Sequence, residues 1–465
     1  MSQPLDLNDP FERQGLWWSS DDPDDRVTGT LTFDQEKGGR LALVGTLGNA
    51  IEALTRIGQP MVYRTIHGLS VDGKSISLLR AVQGSSQFNS PGMVVETYHA
   101  LYVVVGCHIQ SLDDELFDRS EINFDGLNEW LGDRVHQETF ERNPWRVTIV
   151  CESAERPLGR VSAIGASVSA ATVAVTHRER LRGFNVTALP NISIGADRPR
   201  SVVWHLEQTD CVRRLAALCA GRHLPTISVR LFGPEKQIAE GVTVPGEYDV
   251  LYRVVGDRQR KGARSDTPIF SASELLDENI DALERWFAVA DELKPTIDLL
   301  FTYLSSNSLY VESAFLLVVQ ALEVFHRLTD PTSIMDEDKY DEVRASLLAA
   351  IPKGTSSDMR EKLTSTLLYS NEPSLRQRLK RTITQLNAVY GPAPFGFDQA
   401  TIGKVVDTRN YYTHYSAQLR ARAVKGAQLH SLTQRFVPLL FVLLFSQLGL
   451  SNERVRDNLK RRQGF

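Results

Sequence analysis

One short segment holds the residue types that RNA chemistry needs. Asp407–Tyr415 reads DTRNYYTHY. Written as a helix, Asn410 and His414 are four apart and share a face. Arg409 lies five before His414, roughly 140° round the axis. Two such helices meeting across a two-fold axis would bring two Arg and two His around one cleft. His can take the 2′-OH proton or give one to the leaving 5′-oxygen, because its ordinary pKa lies near working pH. Arg is always charged and grips phosphate bidentately, which suits the growing charge of a pentavalent phosphorane. Asn can hold the phosphate or fix the imidazole tautomer. The product would be a 2′,3′-cyclic phosphate, made without a metal. Spacing alone leaves a second reading open, a solvated helix face with a cation beside a tyrosine, since the chain has ten His and many Arg.

The elements that must carry this segment change character along the chain. The first ~260 residues read as mostly β. Val27–Phe33 and Leu41–Leu47 flank the turn cluster EKGGR, a hairpin signature. Further strands are expected at Met61–Leu69, Ser75–Leu79, Val94–Val105, Arg146–Val150, Ala171–Thr176, Ser201–Glu207, Thr226–Phe232 and Asp249–Val255. Short helices are expected at Phe124–Leu131 and Cys211–Ala220. Gly256–Pro268 is charged and rich in breakers, and serves as the expected linker. Ser271–Glu274 then opens as a capping box, and helical spacing runs from Leu275 to about Leu304. Leu309–Leu328, Tyr340–Ile351, Asp358–Leu368, Ser374–Tyr390, Thr401–Lys425 and Leu432–Leu450 follow as helices, with a break at Gly391–Phe397. The expected domains are therefore 1–262, β-rich, and 271–465, an all-α bundle, an α+β multidomain chain.

Composition bounds the function. The chain has 465 residues, 42% hydrophobic and 23% charged, which is globular. Four Cys (Cys107, Cys151, Cys211, Cys219) form no C-x-x-C, so neither a disulfide scaffold nor a zinc site is expected, and a reduced cytoplasmic setting is. The polar, acidic first residues have no signal-peptide core. Phe436–Phe445, the longest apolar run, is half of what a membrane span needs, about twenty residues. No nucleotide-binding glycine loop is present, so no cofactor is expected. His67, His99, His177, His205, His223 and His430 read as structural, and His108 beside Cys107 lacks further metal ligands at useful spacing. Trp17 and Trp18 read as core.

Net charge is −5, but Asn371–Phe465 carries 15 Lys/Arg against 5 Asp/Glu. An anionic partner for this end, or docking on the acidic remainder of the chain, would explain the asymmetry. Arg376, Arg378, Lys380 and Arg381, then Arg420, Arg422 and Lys425, then Arg454, Arg456, Lys460, Arg461 and Arg462 are candidate phosphate contacts. Tyr411, Tyr412 and Tyr415 can stack on unpaired bases or pack the bundle.

RNYYTH resembles the R-N-x3-H form of the motif of HEPN domains, helical bundles that often act as dimeric ribonucleases. The upstream AFLLVVQALEVFHR resembles the first core helix of ApeA-like HEPN domains, with Glu323 placed as in that family. GLWW (Gly15–Trp18), VTGTLTF, LALVGTL, VVVGCHI and GLNEWL (Gly126–Leu131) resemble the ApeA N-terminal domain of bacterial anti-phage defence proteins. The resemblance runs from about Gly15 to His430. It implies an abortive-infection effector whose helical domain forms a dimer or larger assembly and cuts RNA, with tRNA the expected target and a phage protein a candidate trigger. Arg409, Asn410 and His414 carry over as motif positions, and Glu323 either as an active-site acid that orients His414 or Arg409 or as a buried ion pair that supports the bundle. The alternatives are a HEPN module that binds RNA or protein without cutting, and nucleotidyl transfer onto Tyr411 or Tyr412 by a partner enzyme. If the acidic remainder restrains the basic cleft, deleting residues before Ser271 raises activity.

Overall fold

A computed structural model describes residues 3–48, 63–87, 92–132, 136–152, 154–179, 183–239, 242–254, 267–276, 279, 281–306, 308–391 and 397–461. Most of the expected linker lies outside the described residues. The chain divides into two compact units, Met1–Phe287 and Ala288–Phe465.

The first unit is β-rich, as its alternating apolar runs predict. Its first six strands are β1 (Phe11–Ser19), β2 (Asp22–Asp34), β3 (Gly38–Val44), β4 (Arg64–Ser70), β5 (Ser75–Gln87) and β6 (Val95–Val105). They pair in the order β6-β3-β2-β1-β4-β5, and β5 pairs back onto β6, which closes a six-stranded barrel. Closure leaves no free edge. The interior is filled by Trp17, Leu31, Phe33, Leu41, Ile66 and Tyr98, among others. Trp17 is fully buried and its indole N–H donates to the Gly29 carbonyl at 3.1 Å. Gly68 is required beneath it, because a Cβ there would lie 2.3 Å from the indole ring. Trp18 is also buried, so both residues of the pair are core, as read from sequence.

The edge of β6 that receives β3 is continued by β14 (Val242–Tyr252), which pairs Asp249 with Val105 through Tyr252 with Tyr102. A second run of strands follows in the order β14-β13-β7-β12-β11-β10. These are β7 (Phe117–Phe124), β10 (Ala154–Val161), β11 (Ala166–Glu179), β12 (Gly183–Arg200) and β13 (Thr226–Ala239). β8 (His136–Arg142) and β9 (Trp145–Cys151) form a separate hairpin. One short helix, α1 (Leu127–Leu131), follows β7.

Ser201–Glu207 is not a strand. It is the start of α2 (Val202–Ala220), with the Ser201 side chain accepting from the Trp204 N–H at 3.2 Å and Gly221 ending the helix in a left-handed conformation. The β-branched start Val-Val suits a strand locally. Helical spacing prevails because it buries Val202, His205, Thr209, Val212 and Leu215 on one side. His205 is fully buried, with both ring nitrogens engaged, at 2.9 Å to Ser120 Oγ and 3.0 Å to the Phe117 carbonyl. Burial pushes its pKa down to about 4.

The expected domain boundary at 262–271 falls earlier than the observed one. Ile269 N–H donates to the Cys219 carbonyl at 2.7 Å, and the Trp286 indole N–H to the Cys211 carbonyl at 2.8 Å. Helix α3 (Ala272–Leu276) and the first half of α4 (Ala282–Glu292) therefore belong to the β-rich unit. The helical spacing read from Leu275 to about Leu304 ends in α5 (Lys294–Ser305), which opens with Pro295 in its first turn.

The second unit is helical: α5, α6 (Val311–Thr329), α7 (Glu337–Ala349), α8 (Ser357–Leu368), α9 (Leu375–Tyr390), α10 (Gln399–His414), α11 (Gly426–Gln447) and α12 (Asn452–Arg461). The helix expected over Thr401–Lys425 stops at His414. Tyr415 takes the left-handed conformation at φ 51°, and turns fill the chain to Lys425. A tyrosine carries no glycine signal, so the stop is invisible in the sequence. From Phe436 to Phe445 helix α11 is apolar all round, as a core helix is. It is the one helix among the described residues long and apolar enough to cross a membrane, and 67% of its most apolar window is buried within the protein.

Candidate active site

The site residues converge from α6, α9 and α10. Helix α10 starts cleanly, with the Asp398 carboxylate accepting from the Thr401 N–H at 2.7 Å. Ile402, Val405, Val406 and Thr408 are its buried face. Arg409 and Asn410 lie beyond them at half-buried positions, and His414 is exposed at the last position of the helix.

Arg409 is held. Its Nη2 donates to Glu323 Oε2 on α6 at 3.2 Å, and its Nη1 to Asn410 Oδ1 at 3.4 Å. Glu323 is only 18% exposed, so the pair is screened less than a surface ion pair. Of the two partners expected for Glu323, the structure shows Arg409, and His414 makes no hydrogen bond with it. The held guanidinium keeps donors free for a phosphate, since it offers five N–H in all.

Behind this pair runs a chain of charges. Arg327 lies 4.0 Å from Glu323 and 3.1 Å from Glu372. Glu372 also takes Arg378 at 3.5 Å. Arg378 in turn reaches His326 Nδ1 at 3.4 Å, and His326 sits 3.5 Å from Asp330. Burial, with Arg327 nearby, pulls the Arg378 pKa down, and burial does the same to His326. The Thr332 hydroxyl holds the Asp330 carboxyl below its usual range.

Arg378 therefore departs from the reading as a phosphate contact on an open face. It is 3% exposed and its charge is spent inside the bundle. The reason is helical phase: Leu375, Leu379, Thr382 and Ile383 share its buried side of α9. Arg376 and Lys380 are exposed on the other side, with Arg376 3.9 Å from Asp407. Arg381 is half-buried and donates to Thr332 Oγ1 at 2.8 Å. Arg420 and Arg422 are exposed on the turns after α10, rather than on a helix. Arg462 lies outside the described residues.

The tyrosines form a small cluster at the end of α10. The Tyr411 ring lies 5.0 Å from Tyr412 and 5.6 Å from Tyr415, with Lys425 Nζ 5.5 Å from its centre. The Tyr412 hydroxyl donates to the Val424 carbonyl at 3.3 Å, and the Val424 N–H donates to Thr408 Oγ1 at 3.0 Å. These bonds pin the turn segment back on the helix. Burial, then the Glu312 carboxylate, raises the Tyr412 pKa. Tyr412 is thus a packing residue, while Tyr415 is 70% exposed and open to a ligand.

Sequence reasoning missed Glu372 altogether. Nothing in the linear spacing links it to Glu323, and only the packing of α9 beside α6 does so. Among the described residues, no three His, Cys, Asp or Glu side chains gather as a metal site. Burial pushes the Cys211 pKa up to about 12.

A closed β-barrel with its attached sheet, followed by a helical bundle with a held arginine and an exposed histidine on one helix, makes a two-module protein. Residues 12–286 match the family model for ApeA N-terminal domain 1, and residues 316–454 match the ApeA-like HEPN model. The first match alone covers more than half of the chain, which belongs to the ApeA family. The pairing of these modules is that of anti-phage defence proteins, and the HEPN domain is typically a nuclease domain. No curated protein and no solved structure matches the chain.

Proposed function

We propose that the protein is an abortive-infection effector, a metal-independent endoribonuclease whose active site forms between the HEPN units of two copies. The observation that carries this reading is the Arg409–Glu323 pair beside Asn410, with His414 exposed on the same helix. In the reaction, one His414 takes the proton from a 2′-OH. The 2′-oxygen forms its bond to phosphorus and the bond from phosphorus to the 5′-oxygen breaks. His414 of the second copy gives the leaving oxygen its proton. Arg409, oriented by Glu323, neutralises the phosphorane as charge grows. Asn410 holds Arg409 from the other side. Arg376, Lys380, Arg420 and Arg422 supply backbone contacts along the RNA, and tRNA is the proposed target. The N-terminal module senses a phage component, in the cytoplasm.

Wild-type and His414→Ala proteins, expressed in phage-challenged cells with total RNA end-mapped, test the reading. Discrete cuts that end in 2′,3′-cyclic phosphate and vanish in the variant are expected. Intact RNA with protection retained in both would replace the nuclease by a binding module.

A further inference from the structure

Three arginines share two carboxylates at Arg409 and behind it, and they do not pair in the order that the helix itself favours. Glu323 and Arg327 are four apart on α6 with the acid N-terminal, the arrangement in which a helical ion pair closes best. Yet Arg327 Nη2 stands 4.0 Å from Glu323 Oε1 and 3.1 Å from Glu372 Oε2. The other oxygen of Glu323 is thereby left to Arg409, at 3.2 Å.

Glu372 is a fixed competitor for Arg327. It lies in the bend before α9, between Asn371 and Pro373. Asn371 is tied to an earlier segment: its backbone carbonyl accepts from the Ile334 N–H and its side-chain oxygen from the Met335 N–H, both at 2.9 Å. Pro373 is buried and restricts the backbone of the residue before it. Ser374 then opens α9 with a capping box. From the interior, the buried Arg378 guanidinium reaches the same Glu372 oxygen at 3.5 Å. Burial, then the Arg327 charge, pulls the Arg378 pKa down, and Glu372 is the first group that opposes the shift. The series therefore has an inner end, Arg378, and an outer end, Arg409.

We propose that Glu372 is a positioning residue for Arg409: by drawing Arg327 off Glu323, it reserves that carboxylate for the arginine that meets the phosphate. Without the Glu372 charge, Arg327 closes on Glu323 as an ordinary i,i+4 pair. Arg409 then has to share its carboxylate, and its other partner is the neutral Asn410 oxygen at 3.4 Å. The inference deepens the proposed function and rests on that reading for its effect on cleavage, while the pairing of the side chains can be read without it.

The test compares crystal structures and steady-state RNA cleavage of the full-length wild type and Glu372→Gln. In the variant, Arg327 is expected within hydrogen-bond distance of Glu323, about 3 Å, with Arg409 drawn away. kcat is expected to fall roughly 10- to 100-fold while KM holds, as for a group that acts in the transition state. Adding Arg327→Gln removes the competitor, and the double variant is expected to regain a kcat near that of the wild type. A purely structural Glu372 predicts the opposite, a further loss. Glu372→Gln leaves the Arg378 charge buried without its carboxylate, so Glu372→Gln with Arg378→Met replaces it if the single variant does not fold, with the same movement of Arg327 and the same fall in kcat expected. An Arg327 that keeps its wild-type place, or a rate that Arg327→Gln does not restore, would overturn the inference. A wild type that cuts no RNA overturns the nuclease reading instead, and the place of Arg327 in the two crystal structures still decides this one.

Discussion

His205 and His414 show how differently the two units use the same side chain. In the β-rich unit, His205 is fully buried, both its nitrogens are bonded, and its pKa is driven to about 4. It is a neutral structural group at any working pH. In the helical unit, His414 ends a helix in the open, beside an arginine held by a carboxylate from another helix. The neighbouring arginines divide the same way: Arg378 is spent on Glu372 and His326, whereas Arg409 is braced with donors to spare. Chemistry-bearing residue types are therefore no guide in themselves. What separates scaffold from site is whether folding has already used up their hydrogen bonds.

Substitutions can break or sharpen this contrast. The largest expected effect is in the site. His414→Ala or Arg409→Ala should lower RNA cleavage by about 10²–10⁴-fold in a gel assay while leaving the melting curve in place. A variant that cuts at the wild-type rate removes the site from α10. In the barrel the effect should fall on stability instead. Trp17→Ala should cost about 3–5 kcal/mol by calorimetry, lowering the transition of the β-rich unit and sparing that of the helical one. If both transitions fall together, the two units do not unfold separately and the contrast fails.

His205 gives a smaller effect with a defined sign. Its folded pKa lies below the unfolded value, so the unfolded chain binds the extra proton as pH falls. Stability from this group is complete above the unfolded value near 6.5 and is lost progressively down to about 4. The loss over that window is roughly 3 kcal/mol. His205→Gln should flatten the pH dependence of the β-unit transition, and an unchanged slope would assign it to other groups. The smallest effect is at the helix end. Tyr415→Gly relieves a left-handed tyrosine but gives up its contact with Tyr411, for a net gain of about 0.5 kcal/mol. A loss in thermal melting would mean that the tyrosine cluster outweighs the strain.

Much of the architecture was legible from residue order. Period-two runs and turn clusters placed the hairpin of β2 and β3, and helical spacing placed α6, α8 and α9 within a residue or two of their observed ends. The failures share a cause. Ser201–Glu207 looks like a strand until a sheet exists for its helical face to cover. The end of α10 rests on a tyrosine in a glycine conformation, held by bonds from Val424 that local pattern does not carry.

The sequence by itself determined the switch from β to α, the R-N-x3-H segment on a helix, and the ApeA-type resemblance, because periodicity, capping and motif spacing are short-range properties of the chain. Only the tertiary structure decided which charges are spent and which are free. Arg409 meets a carboxylate 86 residues away, and Arg378 is buried although Arg376 and Lys380, two residues to either side, are exposed. Such pairings depend on the packing of α6, α9 and α10 against one another, and interhelical packing is set by which faces bury together rather than by their order along the chain.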